Sequence, residues 1–129
     1  MAKARAVSYS CWAECRPEVR EIDGSLETMQ GIVGGLIQAI YPFGEPVALI
    51  CNDEGKCMNL PANRGLRDQN GRIYDIVFGT FSICGAPTDS DHFVSLTPER
   101  AERYRERFCT PEVFWGMDVR IVCLPLEVD

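Results

Sequence analysis

At 129 residues, with 46% apolar and 25% charged residues, the chain has the makeup of one ordinary folded domain, residues 1–129, and general disorder is excluded. The formal net charge is −6, and the 13 Lys and Arg are scattered among 19 Asp and Glu. That pattern argues against direct nucleic-acid binding, which needs cations gathered on one face, and against nucleic-acid mimicry, which needs runs of acids.

The first residues, Met1 to Val7, start basic but lack the apolar stretch of a signal peptide, and no run is long enough to span a membrane. The expectation is a cytoplasmic protein without membrane contact. Seven cysteines, an odd number, are then expected as thiols rather than a disulfide framework. Cys51, Cys84 and Cys123 lie in apolar runs where burial is the natural state.

In chain order, residues 5–12 alternate Val7, Tyr9 and Cys11 with small or polar neighbours and predict a half-buried strand. Residues 19–22 predict a short partner. Ser25 is an N-cap, with Glu27 in the first helical turn and Leu26, Met29, Ile32 and Val33 at helical spacing. Gly34, able to take the left-handed conformation, ends that helix, and residues 36–41 form a strand.

The apolar run from Val47 then enters Asn52-Asp53-Glu54-Gly55, the order of a type I turn closed by a left-handed glycine, and the chain returns toward Cys57 as a β-hairpin. Residues 63–71 are dense in turn formers and predict a polar loop. Residues 73–84, β-branched and aromatic throughout, predict one long central strand in which Gly79 marks a bulge or a close backbone approach.

Thr97-Pro98-Glu99 starts a second helix whose buried stripe is Ala101, Tyr104 and Phe108. Its other face, with Arg100, Arg103, Arg105 and Arg107 among glutamates, is a solvated surface laced with weak ion pairs. Thr110-Pro111-Glu112 repeats the start signal over a short apolar turn ending near Trp115, and residues 118–124 form a terminal strand. Together these elements predict an α+β fold, a mainly antiparallel sheet with a central β-hairpin and two main helices packed on one face.

At residue level, Pro17 to Gln30, Val33-Gly34-Gly35, Tyr41-Pro42, Val47 to Lys56, Leu60-Pro61, Asn63-Arg64, Asp75-Ile76, Gly79-Thr80-Phe81 and the stretch from Phe93 to Phe114 resemble a family known as domain of unknown function 3846. The similarity spans about residues 17–114; Cys11 to Cys15 and the strand at about 118–124 depart from the pattern. The resemblance implies a small protein of phages, plasmids and other mobile elements of Gram-positive bacteria, acting in the host cytoplasm. Such proteins bind and neutralise host factors, including defence enzymes and the nucleotide signals that activate them.

Chemistry in the sequence is sparse. Cys11-x3-Cys15 and Cys51-x5-Cys57 lack zinc-knuckle spacing, so neither metal nor other cofactor is expected. His92 is the sole imidazole, in a polar loop. Asp53 and Glu54 are adjacent turn carboxylates that point apart into water, and Val33-Gly-Gly-Leu lacks the further glycines of a dinucleotide fingerprint.

The binding reading takes Asn52, Glu54, Asn63 and Arg64 as polar contacts, with Tyr41 and Phe81 as stacking surfaces for a planar ligand. The alternative is that Asn52 shapes its turn, Asn63 and Arg64 cap a loop, and both aromatics are core. Three functions follow. The first is a non-enzymatic accessory protein that binds a host protein or a small nucleotide. The second is a small hydrolase or transferase using the hairpin carboxylates or a thiol. The third is an oligomerising module that pairs its terminal strand with that of another copy.

Overall fold

The computed structural model describes residues 4–9, 17–22, 24–55, 57–58, 60–89, 93–110, 112–117 and 120–125; for 4–9, 113–117 and 120–125 it describes the backbone alone. Cys11, Cys15, His92 and the Cys123 side chain lie outside the described residues.

Strands β1 (Ala4–Tyr9) and β2 (Glu18–Ile22) pair antiparallel, Ala4 opposite Ile22. Helix α1 (Leu26–Val33) follows, capped by the Ser25 hydroxyl, which accepts from the Thr28 N–H at 3.2 Å. It stops at Gly34, whose φ of 77° only glycine adopts freely and whose N–H returns to Gln30 O. β3 (Ile37–Ile40) and β4 (Val47–Asn52) then form an antiparallel pair.

β4 is the axis of the fold. All six of its residues are buried, because the strand is covered on both faces. Val47, Leu49 and Cys51 point to one core, with Leu66, Val77, Phe81, Ile83, Ala101, Tyr104 and Phe108. Ala48 and Ile50 point to the other, with Ile22, Met29, Val33 and Cys84. The period-two alternation of a strand thus separates α1 from α2 (Pro98–Arg107). The helices cover opposite faces of the sheet, correcting the expectation of a shared face. A run apolar at every position, as 47–51 is, signals just such a doubly covered strand.

The antiparallel α+β class holds. The main sheet runs β2-β1-β7-β4-β3, with two further ribbons, β5-β6 and β8-β9. After the turn at Asn52 the chain returns as β5 (Ala62–Arg67), whose ladder partner is β6 (Ile73–Phe78). Gly55 does not take the left-handed conformation foreseen for it. Its constraint is space, since a Cβ there would meet Phe78 O at 2.9 Å.

Three local expectations give way to long-range pairing. Residues 73–84 are two strands, β6 and β7 (Phe81–Gly85), broken where Gly79 takes φ 84°. The chain leaves the ribbon there and enters the main sheet between β1 and β4. Close approach was foreseen at Gly79 and is found: its N–H donates to Pro61 O at 2.8 Å, and a Cβ would meet Leu60 Cδ1 at 2.7 Å.

Within the polar loop expected at 63–71, residues up to Arg67 are β5, and the turn itself is organised by Asp68, whose Oδ1 accepts from the N–H groups of Asn70 and Arg72. The stretch after Thr110 is no helical turn but β8 (Glu112–Met117), paired with β9 (Arg120–Pro125). Glu112 fixes it against β5: its carboxylate accepts from Gly65 N–H at 2.7 Å and Arg67 at 2.6 Å. Among the described residues no helix is long and apolar enough to cross a membrane.

Candidate functional site

The six residues singled out from sequence do not meet in one place. Asn52 is buried and ties three elements together. Its Nδ2 donates to Val33 O at 3.1 Å at the end of α1, and its Oδ1 accepts from Glu54 N–H at 2.8 Å. Glu54 is exposed at the tip beyond β4.

Asn63 and Arg64 are interior groups, 0% and 1% exposed. Asn63 Nδ2 holds Gly79 O at 2.9 Å, while the Arg64 guanidinium donates to Phe108 O at 3.0 Å and to both the backbone and side-chain oxygens of Asn63. Arg64 therefore joins β5 to the C-terminal end of α2, where carbonyls need donors. Phe81 is wholly buried, edge-on to Phe108 at 5.7 Å, and has no face open to a planar ligand. Tyr41, 61% exposed, is the one aromatic of the set that can stack on something outside the fold.

Two concave regions among the described residues bear on function. The first is a cleft of about 290 Å³ between the tip of β4 and β6, lined by Asn52, Asp53, Glu54, Cys51, Cys57 and Asp75 among others. Its described charged groups are all carboxylates, which repel phosphate. Cys51 is buried, its Sγ donating to Gln38 O at 3.8 Å, and Cys57 is exposed; among the described residues no group of three acids, cysteines or histidines is arranged to hold a metal. Burial pushes the thiol of Cys84 up to about 12, far from the state a nucleophile needs.

The second region surrounds Glu45, in the connection between β3 and β4. On one side lies an open cleft of about 880 Å³ lined by Tyr41, Pro46, Pro87 and Phe93. On the other are two clefts along α2, of about 450 and 200 Å³, that include Arg100, Arg103, Tyr104 and Arg107. Glu45 lines all three.

The arginines fall at helical spacing and rise on one face of α2. Arg103 donates to Glu45 Oε1 at 2.6 Å, Arg100 lies 3.5 Å from Oε2, and the Tyr104 hydroxyl donates to Oε1. Arg107 makes no ion pair among the described residues; its guanidinium lies over the rings of Phe43 (5.1 Å) and Phe108 (5.6 Å). Three guanidinium groups and two carboxylates, Glu45 and Glu99, thus line these two clefts.

The Tyr104 hydroxyl, and after it Arg103, hold the Glu45 carboxyl below its ordinary value; burial opposes them. Tyr104 is held above its own ordinary value by burial and by Glu45. With its folded value lowered, Glu45 contributes stability that is complete above its unfolded value, near 4.5, and is lost as pH falls through the folded one. Glu45→Gln is accordingly expected to lose less thermal stability than the wild type between pH 6 and pH 3, as a pair of melting series would record.

Sequence reasoning counted these arginines as solvated surface and did not find Glu45. The arginine spacing at 100, 103 and 107 was the available signal, but a carboxylate 58 residues away in sequence gives none.

Fold and surface together define a small antiparallel α+β domain with a cationic ridge beside an aromatic-lined cleft. Residues 13–109 match the model of the family described as domain of unknown function (DUF3846), and the chain belongs to that family. No curated protein and no solved structure matches the chain.

Proposed function

We propose that the protein is a non-enzymatic binding protein that sequesters a small nucleotide at the Glu45 ridge. The phosphates lie on Arg100, Arg103 and Arg107, and the base lies toward Tyr41 and Phe93. The observation that carries the reading is the convergence of three guanidinium groups and a tyrosine hydroxyl beside an open aromatic cleft, all bordering one residue. Arginine forks match phosphate oxygens, and an exposed tyrosine offers a base its ring face. The resemblance noted from sequence supplies the setting: a phage or other mobile element of Gram-positive bacteria, with the protein withdrawing a host defence signal in the cytoplasm.

The test is calorimetric titration with ATP and a cyclic dinucleotide as probes. The wild type is expected to bind at least one of them, more weakly as salt rises. The double variant Arg103→Ala with Arg107→Ala, exposed on α2, is expected to lose at least about tenfold in affinity while remaining folded by circular dichroism. Equal affinity in the folded double variant removes the ridge from the account.

A second reading rests on the acidic cleft. Asp53, Glu54 and Asp75 would receive a lysine or arginine of a host protein, and this net-negative chain would attract such a partner at long range.

A further inference from the structure

Glu45 already stands where an anionic ligand would stand. Both of its carboxylate oxygens are engaged, Oε1 by Arg103 at 2.6 Å and by the Tyr104 hydroxyl, Oε2 by Arg100 at 3.5 Å. These are the donors that phosphate oxygens would use, and one set of donors cannot serve two anions fully.

The segment that carries Glu45 is anchored on one side, where Ala86 N–H donates to Pro46 O at 2.8 Å and Val47 N–H to Glu45 O at 2.7 Å. On the other side it turns at Gly44, which takes φ 68°, a left-handed conformation that glycine adopts without a Cβ penalty. Phe43 rides on the same turn and packs against the core under α2, with Tyr104 at 4.6 Å and Arg107 at 5.1 Å. Because Glu45 also walls the cleft of Tyr41 and Phe93, its displacement would enlarge that cleft.

Resting on the nucleotide reading above, we infer that Glu45 is an internal competitor: a ligand phosphate displaces its carboxylate from Arg100, Arg103 and Tyr104, and the turn it sits on lifts from α2. The exchange swaps one set of charge-assisted hydrogen bonds for another, so the bound state retains the arginines' partners while the free state keeps them from repelling one another. Affinity is thereby held below what the arginines alone would give, and the β3–β4 connection reports occupancy.

The experiment is titration of ATP into the wild type, Glu45→Gln and Arg103→Ala, with hydrogen exchange of the wild type followed over residues 43–47, where Val47 N–H donates to Glu45 O at 2.7 Å. Glu45→Gln is expected to bind about tenfold tighter than the wild type, and Arg103→Ala more weakly. Backbone exchange at 43–47 is expected to quicken in the ATP-bound wild type. Wild-type binding with equal or weaker affinity in folded Glu45→Gln overturns the competitor role and leaves the ridge standing. Slower exchange at 43–47 on binding overturns it independently of any variant. Absence of binding in all three folded proteins overturns both the competitor and the nucleotide reading.

Discussion

Replacing Arg64 by alanine is expected to destabilise the protein by about 3 kcal/mol, read as a lower urea midpoint with an unchanged slope. The guanidinium is buried and bridges Asn63 to the last carbonyl region of α2 at Phe108. Alanine leaves those acceptors without that donor and opens a void where the largest fully buried side chain among the described residues stood. For a domain whose total stability is of the order of 5–15 kcal/mol, that is a large part of the margin. Arg64→Lys keeps the charge but loses the planar fork, so its midpoint is expected to fall between those of alanine and wild type. Loss of ligand binding on changing Arg64 would therefore report unfolding, and the exposed arginines of α2 are the informative positions.

The second large effect is at Phe81. Its ring is wholly buried between β7 and the end of α2, edge-on to Phe108 at 5.7 Å. Phe81→Ala is expected to cost about 3–5 kcal/mol, because the removed ring leaves a cavity that a doubly covered sheet cannot close. Thermal melts monitored by circular dichroism should show a lower midpoint with the same folded baseline. A midpoint within a degree or two of wild type would mean that the core around β7 is not packed as described.

What could be read from the sequence was what is decided locally. Ser25 and Thr97 cap their helices as their positions suggested, and Gly34 and Pro98 mark the ends that their backbone chemistry allows. The buried stripe Ala101, Tyr104 and Phe108 followed from helical spacing. What was not legible depends on partners distant in the chain. The segment 63–67, within the stretch 63–71 that reads as a loop, does so because Asn63, Arg64 and Gly65 are poor strand formers, yet Gly79, Phe108 and Glu112 satisfy their polar groups.

Arg64 and Asn63 read as ligand contacts for the same reason. Their residue types usually lie at the surface, and only the fold shows that they are internal braces. Tyr41 kept the exposure that a contact needs, whereas Phe81 did not. The arginine ridge was visible as a spacing and unreadable as a site until the β3–β4 turn brought Glu45 onto it. Likewise, the two helices could be counted from their caps, but not assigned to faces. That assignment depends on which strands flank β4 and on the alternation along it.

The central claim, that this domain holds a small nucleotide, is tested most directly by native mass spectrometry of the protein purified from a bacterial host, recorded before and after denaturation. The account predicts a bound mass that leaves on denaturation, contains phosphorus and absorbs as a nucleobase. It predicts also that this mass is missing from the folded Arg103→Ala, Arg107→Ala double variant. A wild-type protein that flies empty and gains no mass from added ATP or cyclic dinucleotide would contradict it. A co-purifying basic polypeptide in its place would move the function to the acidic cleft of Asp53, Glu54 and Asp75.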